Sequence, residues 1–258
     1  MSNENNHSDY LGKKIFFLHP SATIQNVVAE ELIQQEYEVY IVKDHIKLRE
    51  ILKKYPDSVV FANINDGMPE KEWETWIRAV IADLKGKIGI GILTSNNDDT
   101  LHRKYTVSIK CQCGFTVLKS DLNVSIKQLY EHLQAVDAKG RRKYLRLTLD
   151  NDSMTTVNLP LNGTFINGAI KDISVVGLSC AFTDDPELSK NTLFQDIQIK
   201  LQSQLLKTEG IIFGSRIDST EKIYVILFTQ RIDPDVRTRI RKYIQQNLQA
   251  KLDKEMGL

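Results

Sequence analysis

The stretch IKDISVVGLS (170–179) decides the fold of the second half of the chain. Successive side chains of an extended strand point to opposite faces, so Asp172 and Ser174 share one face while the apolar residues between and after them share the other. One polar and one apolar face are what the wall of a β-barrel requires. Gly177 allows a bulge or a close approach of another backbone.

Strand-like segments surround this stretch with no helix between them. The six predicted strands are residues 143–150, 164–174, 178–184, 193–203, 205–218 and 222–230. Turn signals such as Asn162-Gly163 separate them. Short strands with regular turns predict a closed or nearly closed antiparallel barrel. After them, Pro234 and apolar residues at four-residue intervals predict a C-terminal helix that packs on the barrel.

The segment KGRRKYLRL (139–147) carries five basic residues in a chain whose net charge is +1. Arg142 and Arg146 are four residues apart, so in an extended chain they project to the same side, about 13 Å apart. Their arms can converge on a ligand with two phosphates, because guanidinium forks onto phosphate oxygens or the O6/N7 edge of guanine. Asp172 and Ser174 suit the donors on the Watson–Crick edge of that base. The alternative is a solvated basic linker.

Taken together, these residues resemble the motifs of the PilZ family. R-x-x-x-R (Arg142, Arg146) precedes D-x-S-x-x-G (Asp172, Ser174, Gly177) at the start of an antiparallel barrel. The resemblance extends from the basic segment into the C-terminal helix. It implies a receptor for the bacterial second messenger cyclic di-GMP, with this ligand and no other cofactor.

The resemblance also implies a role for each motif residue. The implied ligand-binding residues are Arg141, Arg142, Arg146, Asp172, Ser174 and Gly177. The arginines of the first motif would contact phosphates and guanine edges, and the segment that carries them would fold over the ligand. The aspartate and serine would hold a guanine, and the glycine would keep the surface open. Arg141, just before the first motif, adds a third guanidinium that favours two ligand molecules.

In the first half of the chain, strands alternate with helices, which is typical of a parallel sheet with helices on both faces. The predicted strands are residues 13–19, 38–42, 58–64, 87–94 and 114–119, and the predicted helices are residues 23–35, 45–55, 68–84 and 125–136. This pattern resembles a response-regulator receiver domain. Receivers carry an acidic pair after the first strand, where this chain reads LHPSA (18–22), and Asn65 stands where their phosphorylated aspartate lies.

Phosphorylation chemistry is therefore missing from this domain. Asp66, displaced by one position, cannot supply the oxygen ligands of Mg²⁺ alone. We predict a pseudo-receiver that contacts a partner or the second domain; the alternative is an unrelated small α/β domain. The predicted organisation is a disordered tail (1–10), a pseudo-receiver (11–138), an arginine-rich switch loop (139–147) and the barrel with its helix (148–258).

Several function classes are disfavoured by the sequence. No apolar run spans a bilayer and the N-terminus lacks a signal-peptide core, so a cytoplasmic location is expected. Cys111 and Cys113 lack zinc-site spacing, so reduced thiols and no metal are expected. No phosphate loop or nucleophile motif indicates an enzyme. The near-neutral charge, with Tyr144 the sole aromatic in the basic segment, argues against DNA or RNA binding.

The expected function is that of a non-enzymatic cyclic di-GMP effector. Ligand binding would order the switch loop, change the arrangement of the domains and signal to an unidentified protein partner. The output would be motility, biofilm formation or virulence. The alternative is a PilZ-fold interaction adaptor that binds no nucleotide.

Overall fold

The computed structural model describes residues 12–119, 121–149, 154–218 and 221–258, so the predicted tail lies outside the described residues. The chain divides into two compact units. The first contains the residues up to Lys143 together with Gln249–Leu258, and the second contains Tyr144–Leu248. Residues 249–258 thus group with the first unit rather than with the barrel, which differs from the boundaries expected from the sequence. None of the described helices is long and apolar enough to cross a membrane.

The first unit is built on a five-stranded sheet in the order β2-β1-β3-β4-β5, and every neighbouring pair is parallel. Its strands are β1 (Ile15–Leu18), β2 (Val39–Val42), β3 (Val59–Asn63), β4 (Gly89–Thr94) and β5 (Phe115–Val117). This is the strand order of the flavodoxin-like doubly wound folds. The predicted parallel sheet is therefore confirmed.

Helices connect these strands. They are α1 (Glu30–Gln34), α2 (His45–Lys54), α3 (Glu70–Asp83), α4 (Asp99–Arg103) and α5 (Leu122–Ala135), with π-helical segments before α1 (Ile24–Ala29) and after α4 (Lys104–Ser108). Aspartates begin three of them. Asp44 accepts the backbone N–H groups of Ile46 and Lys47, and Asp98 and Asp121 cap α4 and α5 in the same way. The cap at Asp121 explains why α5 begins before the predicted residue 125.

Apolar side chains cover the sheet. Strand β1 is buried along its whole length, and Ile15 and Phe17 pack in one core with Leu129 and Leu133 of α5. A strand that is buried on both faces usually has a continuous apolar sequence, and the sequence of β1, IFFL, is of this kind. Because β1 and β3 are parallel neighbours, the residues that follow them meet at one edge of the sheet, where the Asn63 side chain donates to the His19 carbonyl at 2.8 Å.

Amide, hydroxyl and aromatic side chains line this edge, together with the carboxylates of Asp44 and Asp66 near His19. Asn65 donates to the Ser95 hydroxyl at 2.9 Å and accepts the Ser95 backbone N–H at 2.8 Å. The His19 ring lies edge-on to Trp73, with ring centroids 5.7 Å apart. Within the described ranges, no three His, Cys, Asp or Glu side chains are grouped so that they could hold a metal ion.

Partly buried histidines make the stability of the first unit depend on pH. Burial lowers the pKa of His132 from its ordinary value of 6.5, and burial followed by the nearby His45 lowers that of His19. Near and below pH 6.5 these histidines therefore bind protons more readily in the unfolded chain than in the folded chain. Their contribution to the free energy of unfolding is fully present above that pH and is lost as the pH falls.

We expect the urea midpoint of the first unit to fall between pH 7 and pH 5, and His132→Gln to make that fall smaller. Both tryptophans, Trp73 and Trp76, lie in this unit, so their fluorescence follows its unfolding. The control is the barrel, because Tyr144–Leu248 contains no histidine. An equal pH dependence in the wild type and the variant would contradict this assignment.

The second unit is an antiparallel β-barrel. Its strands are β6 (Arg146–Thr148), β7 (Thr155–Leu161), β8 (Thr164–Ser174), β9 (Gly177–Phe182), β10 (Leu193–Leu201), β11 (Gln204–Asp218) and β12 (Glu221–Phe228). The strand order is β6-β8-β7-β10-β11-β12-β9, and an additional pairing of β8 with β9 closes a ring of six strands, β7 to β12. The predicted closed six-stranded barrel is confirmed.

One strand of the ring was not predicted. Strand β7 pairs with β8 through the two-residue turn Asn162-Gly163, where both residues have positive φ, 50° and 81°. Positive φ at both central residues is typical of a type I′ hairpin. The first predicted strand, residues 143–150, is shorter in the structure, where it is β6. This strand pairs with β8 and lies outside the ring.

Helix α6 (Pro234–Glu255) follows the barrel, as predicted. Its early residues Ile240 and Ile244 are buried in the barrel core. Its last turns belong to the first unit. There the Gln249 side chain accepts the backbone N–H of Ile41 at 3.0 Å and donates to the Ile41 carbonyl at 3.1 Å. This contact covers β2, the outer strand of the parallel sheet.

Candidate functional site

Strand register brings several of the predicted site residues together on the barrel. Arg146 of β6 is opposite Ser174 of β8, and Ser174 is opposite Gly177 of β9. Directly opposite residues of antiparallel strands face the same side, so these three form one row. Asp172 lies in the next row, between Thr148 and Ser179.

The carboxylate of Asp172 is held by two neighbours. Arg146 Nη1 lies 3.4 Å from its Oδ1, and the Ser179 hydroxyl donates to its Oδ2 at 2.5 Å. The Asp172 side chain is 15% exposed and that of Arg146 is 44% exposed. A charge-assisted hydrogen bond is usually about 2.7–2.9 Å long, so Arg146 is loosely paired and open to solvent.

Ser179 is a site residue that the sequence analysis missed. It is a buried polar residue in β9, where all of its strand neighbours are apolar or glycine. The only sign of its role in the sequence is that it is the single hydroxyl side chain in the otherwise apolar strand GLSCAF. The cross-strand pairing that sets it against Asp172 depends on the irregular register between Ile170 and Asp172, which the sequence does not show.

Ser174 has a different environment from the one expected. It is 4% exposed, and its hydroxyl donates to the Gly177 carbonyl at 3.1 Å across the connection between β8 and β9. Its predicted contact with guanine stays a prediction. In the described geometry Ser174 fixes the turn that sets the start of β9.

Gly177 is required by the packing of the barrel itself. A Cβ at this position would lie 2.4 Å from the carbonyl oxygen of Ile226 and 3.2 Å from Cα of Leu227. Both atoms belong to the backbone of β12, which pairs with β9 at this point. The glycine therefore lets two strands approach closely, whether or not it also borders a ligand.

Arg141 and Arg142 precede the barrel and group with the first unit. Both are exposed, and Arg142 makes no hydrogen bond or ion pair with any residue that the structure describes. Arg141 lines a cavity of about 550 Å³ with Lys13 and Lys139. Lys139 has a structural role, because it donates to the Gln35 carbonyl at 2.7 Å and its Nζ lies 5.2 Å from the centre of the Tyr37 ring.

Solved structures resemble the C-terminal part of the chain. Among them are PilZ domains. The PilZ domain of Escherichia coli YcgR with cyclic di-GMP is 16% identical over 45% of this chain and 96% of its own, with a TM-score of 0.38. The K. pneumoniae MrkH–cyclic di-GMP complex is 24% identical over 44% of this chain and 56% of its own, with a TM-score of 0.37. The Bacillus subtilis inhibitor of motility, MotI, is 16% identical over 44% of this chain and 53% of its own, also with a TM-score of 0.37.

This chain thus spans nearly all of the isolated YcgR domain but about half of the MrkH and MotI chains. No family model and no curated protein matches it. Because the identities and TM-scores are low, the ligand of the site has to be inferred from the side chains of the site itself.

Proposed function

We propose that this protein is a receptor for cyclic di-GMP, and that Asp172, Arg146 and Arg142 bind it. The observation that supports this most is the pairing of Asp172 with an arginine whose side chain is nearly half exposed. A carboxylate accepts the N1–H and N2–H donors of guanine, and a guanidinium donates to its O6 and N7 or to phosphate oxygens. One ligand with guanine and phosphate groups satisfies both partners.

The ion pair of Arg146 and Asp172 is easily separated. The pair is long, at 3.4 Å, and its arginine is exposed, as in surface ion pairs that contribute only about 0–1 kcal/mol, so separating Arg146 from Asp172 costs little. Each charge-assisted hydrogen bond to the ligand contributes about 1.5–3 kcal/mol. The Ser179 hydroxyl keeps the carboxylate in place while Arg146 turns to the ligand.

Arg142 is proposed to bind a phosphate. It is exposed, without a described partner, and four residues before Arg146 in a segment that has no helix or strand. Binding would order this segment, change the arrangement of the two units and alter the surface available to a protein partner. Small-angle scattering that is identical with and without ligand would contradict this step.

Arg142→Ala should weaken cyclic di-GMP binding by about tenfold or more, because at least one charge-assisted contact is lost. Equilibrium binding of a labelled ligand measures the change. Arg103→Ala is the control, since Arg103 is also an exposed arginine of the first unit and lies on α4, far from the motif in sequence. Equal affinities for the wild type and the Arg142 variant would remove Arg142 from the site.

A further inference from the structure

A large cavity extends from the candidate site along the barrel. Its volume is about 980 Å³, and it lies entirely in the second unit. Asp172 lines one part of it, and the hairpin of β11 and β12 lines another, with Arg216 and Asp218. None of the ligand-binding residues implied by the PilZ resemblance lies on β11 or β12.

Most charged groups in the cavity are already paired. Lys171 lies 2.7 Å from Glu221, and Lys222 lies 2.9 Å from Asp185. Asp185 also accepts a short hydrogen bond from Tyr224, and this bond and then Lys222 lower the pKa of Asp185 to about 2. Because these charged groups already form ion pairs or hydrogen bonds with one another, a ligand would have to break those contacts to bind them.

Arg216 and Asp218 differ from these groups. Both are exposed, and neither side chain makes a hydrogen bond or ion pair with the residues that the structure describes. They are two residues apart on β11, so they share a face and lie about 6.8 Å apart along the strand. The cavity therefore presents an unpaired guanidinium beside an unpaired carboxylate.

Strand register relates this pair to Asp172. Asp172 is opposite Ser179, Ser179 is opposite Val225, and Val225 is opposite Gly214 of β11. Arg216 lies two residues beyond Gly214 and shares its face. Three strand spacings separate Asp172 from β11, which is about 14 Å, and the long arginine side chain shortens this gap.

We propose that Arg216 and Asp218 bind the second guanine of cyclic di-GMP, an inference that rests on the proposed function of Asp172. In the extended conformation of a cyclic dinucleotide the two bases point to opposite ends of the molecule, so a ligand bound in this form with one guanine at Asp172 places the other along the cavity. Arg216 donates to O6 and N7 of this base, and Asp218 accepts its N1–H and N2–H groups.

The same pair selects guanine over adenine. Adenine presents an amino donor where guanine has O6, so it faces the donors of Arg216 with another donor. Adenine also has no N1–H for Asp218 to accept. The subsite therefore reads the identity of the second base as well as adding affinity.

Arg216→Ala should weaken cyclic di-GMP binding by about 10- to 100-fold, the usual effect of one bidentate arginine–guanine contact. Arg216→Lys should restore only part of the affinity, because an ammonium keeps the charge but lacks the rigid planar pair of donors that matches O6 and N7. Lys207→Ala is the control: Lys207 is another exposed cation of β11, paired with Asp196. Cyclic GMP–AMP, with one guanine and one adenine, tests the specificity of the subsite.

The wild type should bind cyclic GMP–AMP clearly more weakly than cyclic di-GMP, and this difference should be smaller in Arg216→Ala, which keeps only Asp218 to distinguish guanine from adenine. If the wild type binds cyclic di-GMP and Arg216→Ala binds it equally well, the second-guanine site is refuted while the proposed function stands. If the wild type does not bind cyclic di-GMP, the proposed function fails and this inference fails with it. Equal thermal midpoints of the variants and the wild type show that folding is not the cause of a loss.

Discussion

Replacing Asp172 with alanine should lower the affinity for cyclic di-GMP by about 100-fold or more, because two charge-assisted hydrogen bonds to one guanine are lost. The carboxylate is already fixed by Ser179, so the wild type loses little side-chain freedom when it binds. Removing it also frees Arg146, which cannot replace an acceptor because guanidinium only donates. Calorimetric titration of the wild type and the variant measures the change.

Asp196→Ala is the matched control. Asp196 also lies on the barrel and pairs with a cation at 3.4 Å, the distance between Arg146 and Asp172. The two substitutions therefore remove similar ion pairs, and only one of them lies in the candidate site. Similar affinities for these two variants would mean that Asp172 does not bind the ligand. Asp172→Asn, which keeps the shape and loses the charge, should fall between alanine and wild type.

Gly177→Ala should destabilise the barrel by about 1–3 kcal/mol, the usual cost of overpacking, and lower its Tm by roughly 5–20 °C. The added methyl group would meet the backbone of β12 at Ile226, and a backbone cannot turn away as a flexible side chain can. The strands β9 and β12 must separate or shift, although their pairing helps to close the ring. Differential scanning calorimetry of the whole chain measures this effect.

Gly214→Ala provides the control for this substitution. A Cβ at Gly214 would meet no atom within 4 Å, and its φ is not in the left-handed region. Its Tm should equal that of the wild type. If Gly177→Ala folds as stably as Gly214→Ala and only loses ligand binding, the glycine serves the ligand surface rather than the packing of the barrel.

Barrel strands in which apolar and polar residues alternate clearly could be predicted from the sequence. Strand β7 was missed although it shows part of this alternation. Its residues Val157 and Leu159 alternate with polar neighbours, but Pro160 argues against a strand because proline cannot donate a backbone hydrogen bond. The structure resolves the conflict. Strand β10 pairs with β7 only as far as Asn158, so Pro160 lies beyond the paired region on that side.

Helix α6 shows a second limit. Apolar residues at four-residue intervals, from Val236 to Leu248, correctly predict a helix with one buried face. The same spacing continues through Leu252 and Met256, which are buried in the first unit. Periodicity shows which face is buried but not which partner buries it, because a contact between distant segments leaves no local pattern.

The candidate site was predictable in part for the same reason. Motif spacing identified Asp172 and Arg146, and strand register places them in contact. Ser179 and the proposed Arg216 were missed because only the pairing of strands that are distant in sequence places them near Asp172. The irregular register of β8 with β9 sets the first against Asp172, and the shape of the cavity joins the second to it.

Calorimetric titration of the whole wild-type chain with cyclic di-GMP tests the central claim most directly. The proposed site predicts saturable binding with a micromolar or lower Kd, and a ligand with two adenines, cyclic di-AMP, should not compete. No binding of cyclic di-GMP at micromolar protein, or equally strong binding of cyclic di-AMP, would contradict the claim that Asp172 and Arg146 form a guanine-binding site.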